Sequence, residues 1–281
     1  MTHFGDIVAK RDNLTIIYCQ LCHFRHLNPI PDTKPLYSGG VYHSQIKPSM
    51  REDYNEDIKW WAEVHSDWLA MTIPHMPNQS LLDVGSGTGR FLDSAYYAGL
   101  LPTGIEPDYD MGNHRQDVLW AEYKDINNNH WGCISAHWVL EHLPDPIHFL
   151  DWAKQRLATN GILLVTIPND FTNTQMRAMM AVNKPWYWIH HTHVNYWPAE
   201  SFPSFLECHG FKVLSAYGSW QPEQHLLDGK NYLNDHNLGR KLHHERVAFD
   251  LEVSAEYRRS KYLLFGHNGM GRDVTFAAIK Q

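Results

Sequence analysis

Residues 80–92, Ser-Leu-Leu-Asp-Val-Gly-Ser-Gly-Thr-Gly-Arg-Phe-Leu, constrain the fold more than any other stretch of the chain. The run Leu81, Leu82, Asp83, Val84 has the composition of a short, buried central strand. It breaks into glycines at alternating positions, Gly85, Gly87 and Gly89, and a helical apolar pattern resumes through Phe91, Leu92 and Ala95. A strand, a glycine turn and a helix start in this order make a nucleotide site. The glycines let the backbone approach a ligand closely, and the first amides of the helix point at it. Spacing excludes two kinds of nucleotide site. A phosphate-binding P-loop ends in Gly-Lys-Ser/Thr, whereas Arg90 and Phe91 follow Gly89 here. The dinucleotide fingerprint G-x-G-x-x-G needs a glycine where Arg90 stands.

Two later segments extend the pattern. Thr103-Gly104-Ile105-Glu106-Pro107 reads as a second strand ending in an acid, about twenty residues after the glycines, where a carboxylate accepts ribose hydroxyls. Cys133 to Ala136 reads as a further strand, followed by His137, Trp138 and then Val139-Leu140-Glu141-His142-Leu143-Pro144-Asp145-Pro146. In its D-x-G-x-G-x-G turn (Asp83 to Gly89), its acid Glu106 and its V-L-E-H-x-x-D-P segment, the chain resembles the class I S-adenosylmethionine-dependent methyltransferases. The resemblance covers about residues 81–281 and is most specific up to Gly210. It implies an α/β, Rossmann-like methyltransferase fold with a mostly parallel seven-stranded sheet and an antiparallel last strand. It also implies S-adenosylmethionine as cofactor, with Glu106 on the ribose and Gly85, Ser86, Gly87 and Gly89 along the methionine and ribose side. Asp83 is expected to orient the methionine amine, and His137 to face the cofactor cleft.

Upstream, Leu14 to Pro31 reads as a short strand, a cysteine knuckle and a proline-rich exit. Cys19 and Cys22 have zinc-ligand spacing, and His26 is within reach of the same knuckle. A closed structural zinc site needs one more ligand. His43 is the first choice because it follows the Ser38-Gly39-Gly40 turn; His3 and His23 are the alternatives. A redox reading of Cys19-x-x-Cys22 lacks the βαβ surroundings of a thioredoxin-like motif. The pattern C-x-x-C-x-F-x-H-x-x-P-x-P, carried by Cys19, Cys22, Phe24, His26, Pro29 and Pro31, resembles a bacterial methyltransferase subgroup related in layout to zinc-bearing sugar methyltransferases.

These features divide the chain into an N-terminal zinc-knuckle region (1–50), a helical cap or linker (51–78) and the methyltransferase domain (79–281). The cap carries Ile58, Trp61, Val64, Trp68 and Leu69 at helical spacing, with Glu52, Asp53, Glu56 and Asp57 in its first turns. Within the domain, helices are expected at about 89–98, 109–118, 146–157, 172–182 and 199–209, the third capped by Asp145. Strands are expected at 103–105, 119–123, 133–136, 162–167, 211–217 and 274–279. Such alternation implies a parallel sheet covered on both faces. The segment from Lys184 to Pro198 is crowded with aromatic rings and imidazoles, and reads as a lid or pocket wall. Residues 220–272 depart from the minimal fold, carry one long amphipathic helix from Leu242 to Leu264, and are expected to shape either substrate binding or a homodimer contact.

Composition excludes some functions. A formal charge of −7 argues against a broad surface for nucleic acid, which draws on neutralising many phosphates. The longest apolar run, Ile162 to Ile167, is too short to span a bilayer, and Met1 to Arg11 does not read as a signal peptide, so a cytoplasmic protein with reduced cysteines is expected. The expected activity is therefore methyl transfer to a small-molecule acceptor, first of all a nucleotide-linked sugar. The alternative is a non-catalytic regulatory module that keeps the cofactor site. Where the acceptor loses a proton, a histidine is the natural base. His193, in an H-x-N motif with Asn195 available to orient it, is the first choice, and His142 the second; His137, His190 and His191 complete the set.

Overall fold

The computed structural model describes residues 3–37, 41, 57–108 and 115–281. The N-terminal region folds as a small antiparallel sheet of β1 (Gly5–Arg11), β2 (Leu14–Cys19), β3 (Arg25–Leu27) and β9 (Asn195–Tyr196), in that order. Its last strand comes from the aromatic segment of the main domain, so the knuckle is stitched to the pocket wall by backbone pairing between Arg25 and Tyr196 and between His26 and Asn195.

The main sheet has seven strands: β4 (Ser80–Val84), β5 (Leu101–Ile105), β6 (Val118–Leu119), β7 (Trp131–His137), β8 (Leu157–Pro168), β10 (Phe211–Gly218) and β11 (Asp273–Lys280), in the order β10-β11-β8-β7-β4-β5-β6. The strands from β8 to β6 run parallel, and β11, the last strand of the chain, inserts antiparallel between β8 and β10. The central strands are mostly apolar, as a sheet covered on both faces requires: Leu81, Leu82, Ile134 and Leu163 are buried, and the exceptions Asp83 and Ser135 pair with each other. The strand order reverses between β4 and β7, and ligands of open α/β sheets bind outside the carboxyl ends of the strands at such a point.

Several helices start where the sequence signals them. Asp145 accepts the His148 amide hydrogen at 2.9 Å and caps the Pro146–Arg156 helix. Thr172 and Gln175 form a reciprocal capping box at the Asn173–Val182 helix. The amphipathic stretch from Leu242 to Leu264 is not one helix, contrary to the sequence expectation. It splits into His236–Glu252 and Ala255–His267, because Ser254 adopts an extended conformation and caps the second helix through the Tyr257 amide. Of the helix expected over 109–118, residues 109–114 lie outside the described residues, and Val118 already belongs to β6. The acids Glu52, Asp53 and Glu56 also lie outside them; the cap helix is described from Ile58 to Thr72.

A buried ionic network locks that helix to the 220–272 insertion. Arg258, 2 % exposed, pairs with Asp67 at 2.8 Å and with Glu63 at 2.7 Å. Asp250 accepts hydrogen bonds from Trp60 Nε1 and Tyr262 Oη. Buried charges persist only where paired and hydrogen-bonded, and here the pairing fixes the angle at which the insertion covers the sheet. Among the described residues, no helix is long and apolar enough to cross a membrane.

Candidate active site

A cleft of about 1540 Å³ opens above the carboxyl ends of β4, β5 and β7. Its floor is the glycine turn. Gly85 has φ +72°, and a β-carbon there would stand 2.7 Å from Val139 Cγ2, so both backbone conformation and space demand glycine. Gly89, φ +81°, is the left-handed residue from which the Arg90–Tyr97 helix starts. Gly85, Ser86, Gly87 and Thr88 line the cleft, whereas Gly89 stands behind them as the helix cap.

Two buried acids flank the turn. Asp83 pairs in register with Ser135 of β7 and accepts its hydroxyl hydrogen at 2.7 Å. Burial pushes the Asp83 carboxyl up to about 7, with the Ser135 hydrogen bond working against the shift and Glu106 adding to it. Glu106, 8 % exposed, accepts the amide hydrogens of Gly87 at 2.9 Å and Asp108 at 3.0 Å. Burial raises its carboxyl too, against the pull of those two amides. A carboxylate has about four lone-pair directions, so two amide donors leave Glu106 able to take two hydroxyls. The cradle above the glycines, a buried acid suited to a cation and a buried acid suited to a diol fit the amine and ribose of S-adenosylmethionine.

His137 ends β7 at the cleft wall, stacked on Trp68 with ring centroids 4.7 Å apart and held through Nδ1 to Thr166 Oγ1 at 2.8 Å. Burial drives its imidazole well below the ordinary value, and nearby His65 adds to the shift, so the ring is neutral at working pH.

Across the cleft stand Glu141, His142, His190 and His193. Ligand atoms of Glu141, His142 and His193 lie within 4.8 Å of one another, and the rings of His190 and His193 are 3.9 Å apart. His191 is exposed and does not line the cleft. Asn195 does not orient His193, contrary to the sequence expectation; its amide donates to the carbonyls of Leu140 at 2.9 Å and Leu143 at 2.7 Å. With the Val194 amide donating to the Glu141 carbonyl at 2.6 Å, Asn195 ties the Glu141–His142 turn to the aromatic segment. That segment is partly core: Trp188, Ile189 and Tyr196 are buried in a cluster with Ile16 and Leu27 of the small sheet, and only His190 and His193 reach the cleft. Burying the indoles beneath the small sheet is what turns these two imidazoles toward the cofactor side. Tyr232, His236, Arg240, His243 and Arg246 of the insertion form the far wall. Glu141 and Tyr37 are site residues that the sequence reading passed over; the Glu-His pair at a strand end was the available signal for the first.

At the knuckle, His3, Cys19, Cys22 and His26 hold their ligand atoms within 4.8 Å of one another. His3 Nδ1 is 3.3 Å from Cys22 Sγ and 3.5 Å from Cys19 Sγ. His26 Nδ1 donates to the Leu27 carbonyl at 2.8 Å, which leaves Nε2 with its lone pair, buried and with no hydrogen-bond partner. Burial raises the Cys22 thiol to about 12; at Cys19 burial also raises it, but the Cys22 and Leu21 amides outweigh that and leave the thiol lowered. His43 lies outside the described residues; among the described residues, His3 is the fourth member of this group.

The methyltransferase-domain family matches residues 53–216. No curated protein matches the chain. Among solved structures, a chain of the Haloferax volcanii complex with the Trm112 methyltransferase activator superposes with a TM-score of 0.50 at 12 % identity, covering 83 % of this chain and 95 % of that one. A SAM-dependent methyltransferase from Thermotoga maritima gives 0.48 at 14 % identity, covering 83 % and 96 %. Magnesium protoporphyrin IX methyltransferase from Synechocystis, with bound SAH, gives 0.48 at 11 % identity, covering 84 % and 88 %. Likeness at such identities concerns the fold. The family match covers more than half of the sequence and spans the glycine turn, Glu106 and the Glu141–His142 turn, and by it this chain belongs to the methyltransferase-domain family.

Proposed function

We propose that the protein transfers a methyl group from S-adenosylmethionine to an oxygen of a small-molecule acceptor, with a nucleotide-linked sugar as the first acceptor to try. The single observation carrying this reading is that one cleft joins the glycine turn, Asp83 and Glu106 on one side to the Glu141, His142 and His193 group on the other. The bound cofactor supplies an electrophilic methyl on a sulfonium. The chain's own residues then have three tasks. Glu106 and the Gly87 turn hold the ribose, and Asp83 meets the amine, which fixes the methyl along one line. Trp68, Phe91 and Trp138, packed around His137, keep water from the donor. The imidazole group at the opposite wall handles the proton that the acceptor oxygen gives up, with His193 as its principal member.

The knuckle is proposed to hold one structural zinc through Cys19, Cys22, His26 and His3. Two thiols and two imidazoles are a closed tetrahedral donor set, and the buried, lone-pair Nε2 of His26 is the atom such an ion would satisfy. An ion there fixes β2 and β3, and through β9 the segment that carries His193.

The test is incubation of the protein with S-adenosylmethionine and a panel of sugar nucleotides, free sugars and phenols, with methylated product and S-adenosylhomocysteine measured by mass spectrometry. Stoichiometric formation of both with one acceptor class supports transfer. A protein that binds the cofactor tightly and methylates nothing in a panel extended to amines and acidic carbons refutes it.

A further inference from the structure

The His236–Glu252 helix of the insertion presents basic groups to the cleft. His236, Arg240 and His243 lie on one face of it and line the cleft, and Arg246 follows three residues further on. Arg246 is half-buried, and its Nε is enclosed with no hydrogen-bond partner. The guanidinium carbon stands 4.5 Å from the centroid of the Trp60 ring, and Nη2 donates to His243 Nδ1 at 2.9 Å. A guanidinium only donates, so His243 Nδ1 carries the lone pair; Nε2 carries the hydrogen and donates to Asp57. Asp57 thus fixes His243, and His243 fixes the guanidinium. Among the described residues no carboxylate forms an ion pair with Arg246. Asp57 is engaged by His243, and Asp250 by Trp60 and Tyr262. Burial lowers the Arg246 pKa, against the pull of Tyr262, Asp250, Asp57 and Asp273 from longer range. An enclosed guanidinium without a paired carboxylate is costly, and an anionic group brought by a ligand removes that cost. Beside it lies a recess of about 200 Å³, walled by Trp220, Pro222, Tyr232 and His243, all of which also line the cleft. Sites for whole ligands measure about 300–1,000 Å³, so this recess has the size of a substituent.

We propose that Arg246 binds an anionic group of the methyl acceptor, a phosphate or a carboxylate, and so confines the acceptors to acidic small molecules. The inference rests on the proposed methyl transfer and narrows its acceptor class. The planar guanidinium matches either oxyanion with two parallel N–H···O bonds. Stacking on Trp60 and the bond to His243 order the side chain before a ligand arrives, so little side-chain freedom is lost on binding. The position suits the acceptor rather than the cofactor. Trp220, which walls the recess, accepts the Arg272 amide hydrogen through its carbonyl just before β11, and β11 lies three strands away from β4 and its glycine turn. A nucleotide-linked sugar meets the requirement through its diphosphate, whereas a neutral sugar or a simple phenol does not.

Calorimetry on the full chain loaded with S-adenosylhomocysteine tests this, with inorganic pyrophosphate and malonate as probes. At least one probe should bind the native protein, and Arg246→Met should weaken that binding at least tenfold while the affinity for S-adenosylhomocysteine stays unchanged. Either probe supports the site, the tighter one naming the anion as phosphate or carboxylate. Arg246→Lys keeps the charge and the aliphatic stem but not the planar fork; it should also weaken binding, and it supplies the independent reading if Arg246→Met does not fold. Absence of binding by both probes, or binding that persists unchanged in the variants, overturns the site. An equal loss of S-adenosylhomocysteine affinity in Arg246→Met also overturns it, because the guanidinium then holds the carboxylate of the cofactor. Methyl transfer to a neutral acceptor that proceeds at the native rate in Arg246→Met overturns the anion site while leaving methyl transfer in place. A probe bound as expected with no acceptor methylated supports the site and counts against the transfer.

Discussion

Replacing Glu106 with Ala tests how the cleft holds its cofactor. The side chain is 8 % exposed and accepts two amide hydrogens, from Gly87 and Asp108, with its remaining lone pairs toward the cleft. Two ribose hydroxyls bound by an ionised carboxylate contribute about 1.5–3 kcal/mol each. Their sum of about 3–6 kcal/mol is an upper bound, because the free protein already carries the cost of a buried carboxylate whose pKa burial has raised. With tenfold in affinity per ~1.4 kcal/mol, the expected loss is at least about tenfold and centres near a hundredfold. Glu106→Gln keeps one oxygen for the amides but loses the charge, and should fall between Ala and the native protein. Calorimetry with S-adenosylmethionine and with S-adenosylhomocysteine is the assay. Both ligands share the ribose, so both must weaken by the same factor. Unchanged affinity in a Glu106→Ala protein that unfolds at the native temperature would refute the placement of the ribose. A loss confined to S-adenosylmethionine would show that Glu106 senses the sulfonium instead.

The same cleft predicts a pH dependence. Burial holds the Asp83 carboxyl at about 7, and a docking ammonium favours the ionised form. Cofactor affinity should be full above about pH 7 and fall as pH drops through it, while Asp83→Asn removes the dependence; a Kd flat through that range counts against Asp83 as the amine partner. The folded-state value lies above that of an unfolded aspartate, so by the same shift Asp83 adds stability as pH falls from about 7. Metal analysis of protein purified without chelator should find about one tightly held zinc per chain, lost in Cys19→Ser and in His3→Ala; retention in His3→Ala would move the fourth ligand elsewhere. His193→Gln should lower turnover roughly a hundredfold or more and leave cofactor affinity nearly unchanged, with equal loss of both removing His193 from the chemistry. Arg258→Met leaves Asp67 buried without its closest cation and should cost about 3–5 kcal/mol in urea unfolding, and a loss under about 1 kcal/mol would show that the cap and insertion are not locked by this pair.

The sequence alone carried the parts of this protein that local chemistry dictates. The glycine turn was legible because Gly85 needs a left-handed backbone and space beside Val139, and no other residue type satisfies both. The central strands were legible because a sheet covered on both faces must be mostly apolar, and Asp145 because a helix start needs an acceptor for its free amides. Tertiary structure decided what depends on contacts between distant segments. Ser254 is a residue type that caps helices, but an apolar helical pattern runs through it, and only the structure shows its hydroxyl starting a second insertion helix there. His3, at the edge of the chain, shows no spacing that ties it to Cys19 and Cys22 until β1 pairs with β2 and brings it beside them. The aromatic segment could not be assigned from composition, because Trp186 and Trp188 enter a core made by another sheet and Trp197 that of the main sheet, while two of its imidazoles face the cleft. Glu141 and His142 are neighbours in sequence but His193 lies about fifty residues further on, and the bonds of Val194 and Asn195 to the Leu140–Leu143 turn bring them to one wall. Side-chain chemistry is written residue by residue, but which groups share a pocket is fixed by packing over long range, and that is where the functional content of this cleft resides.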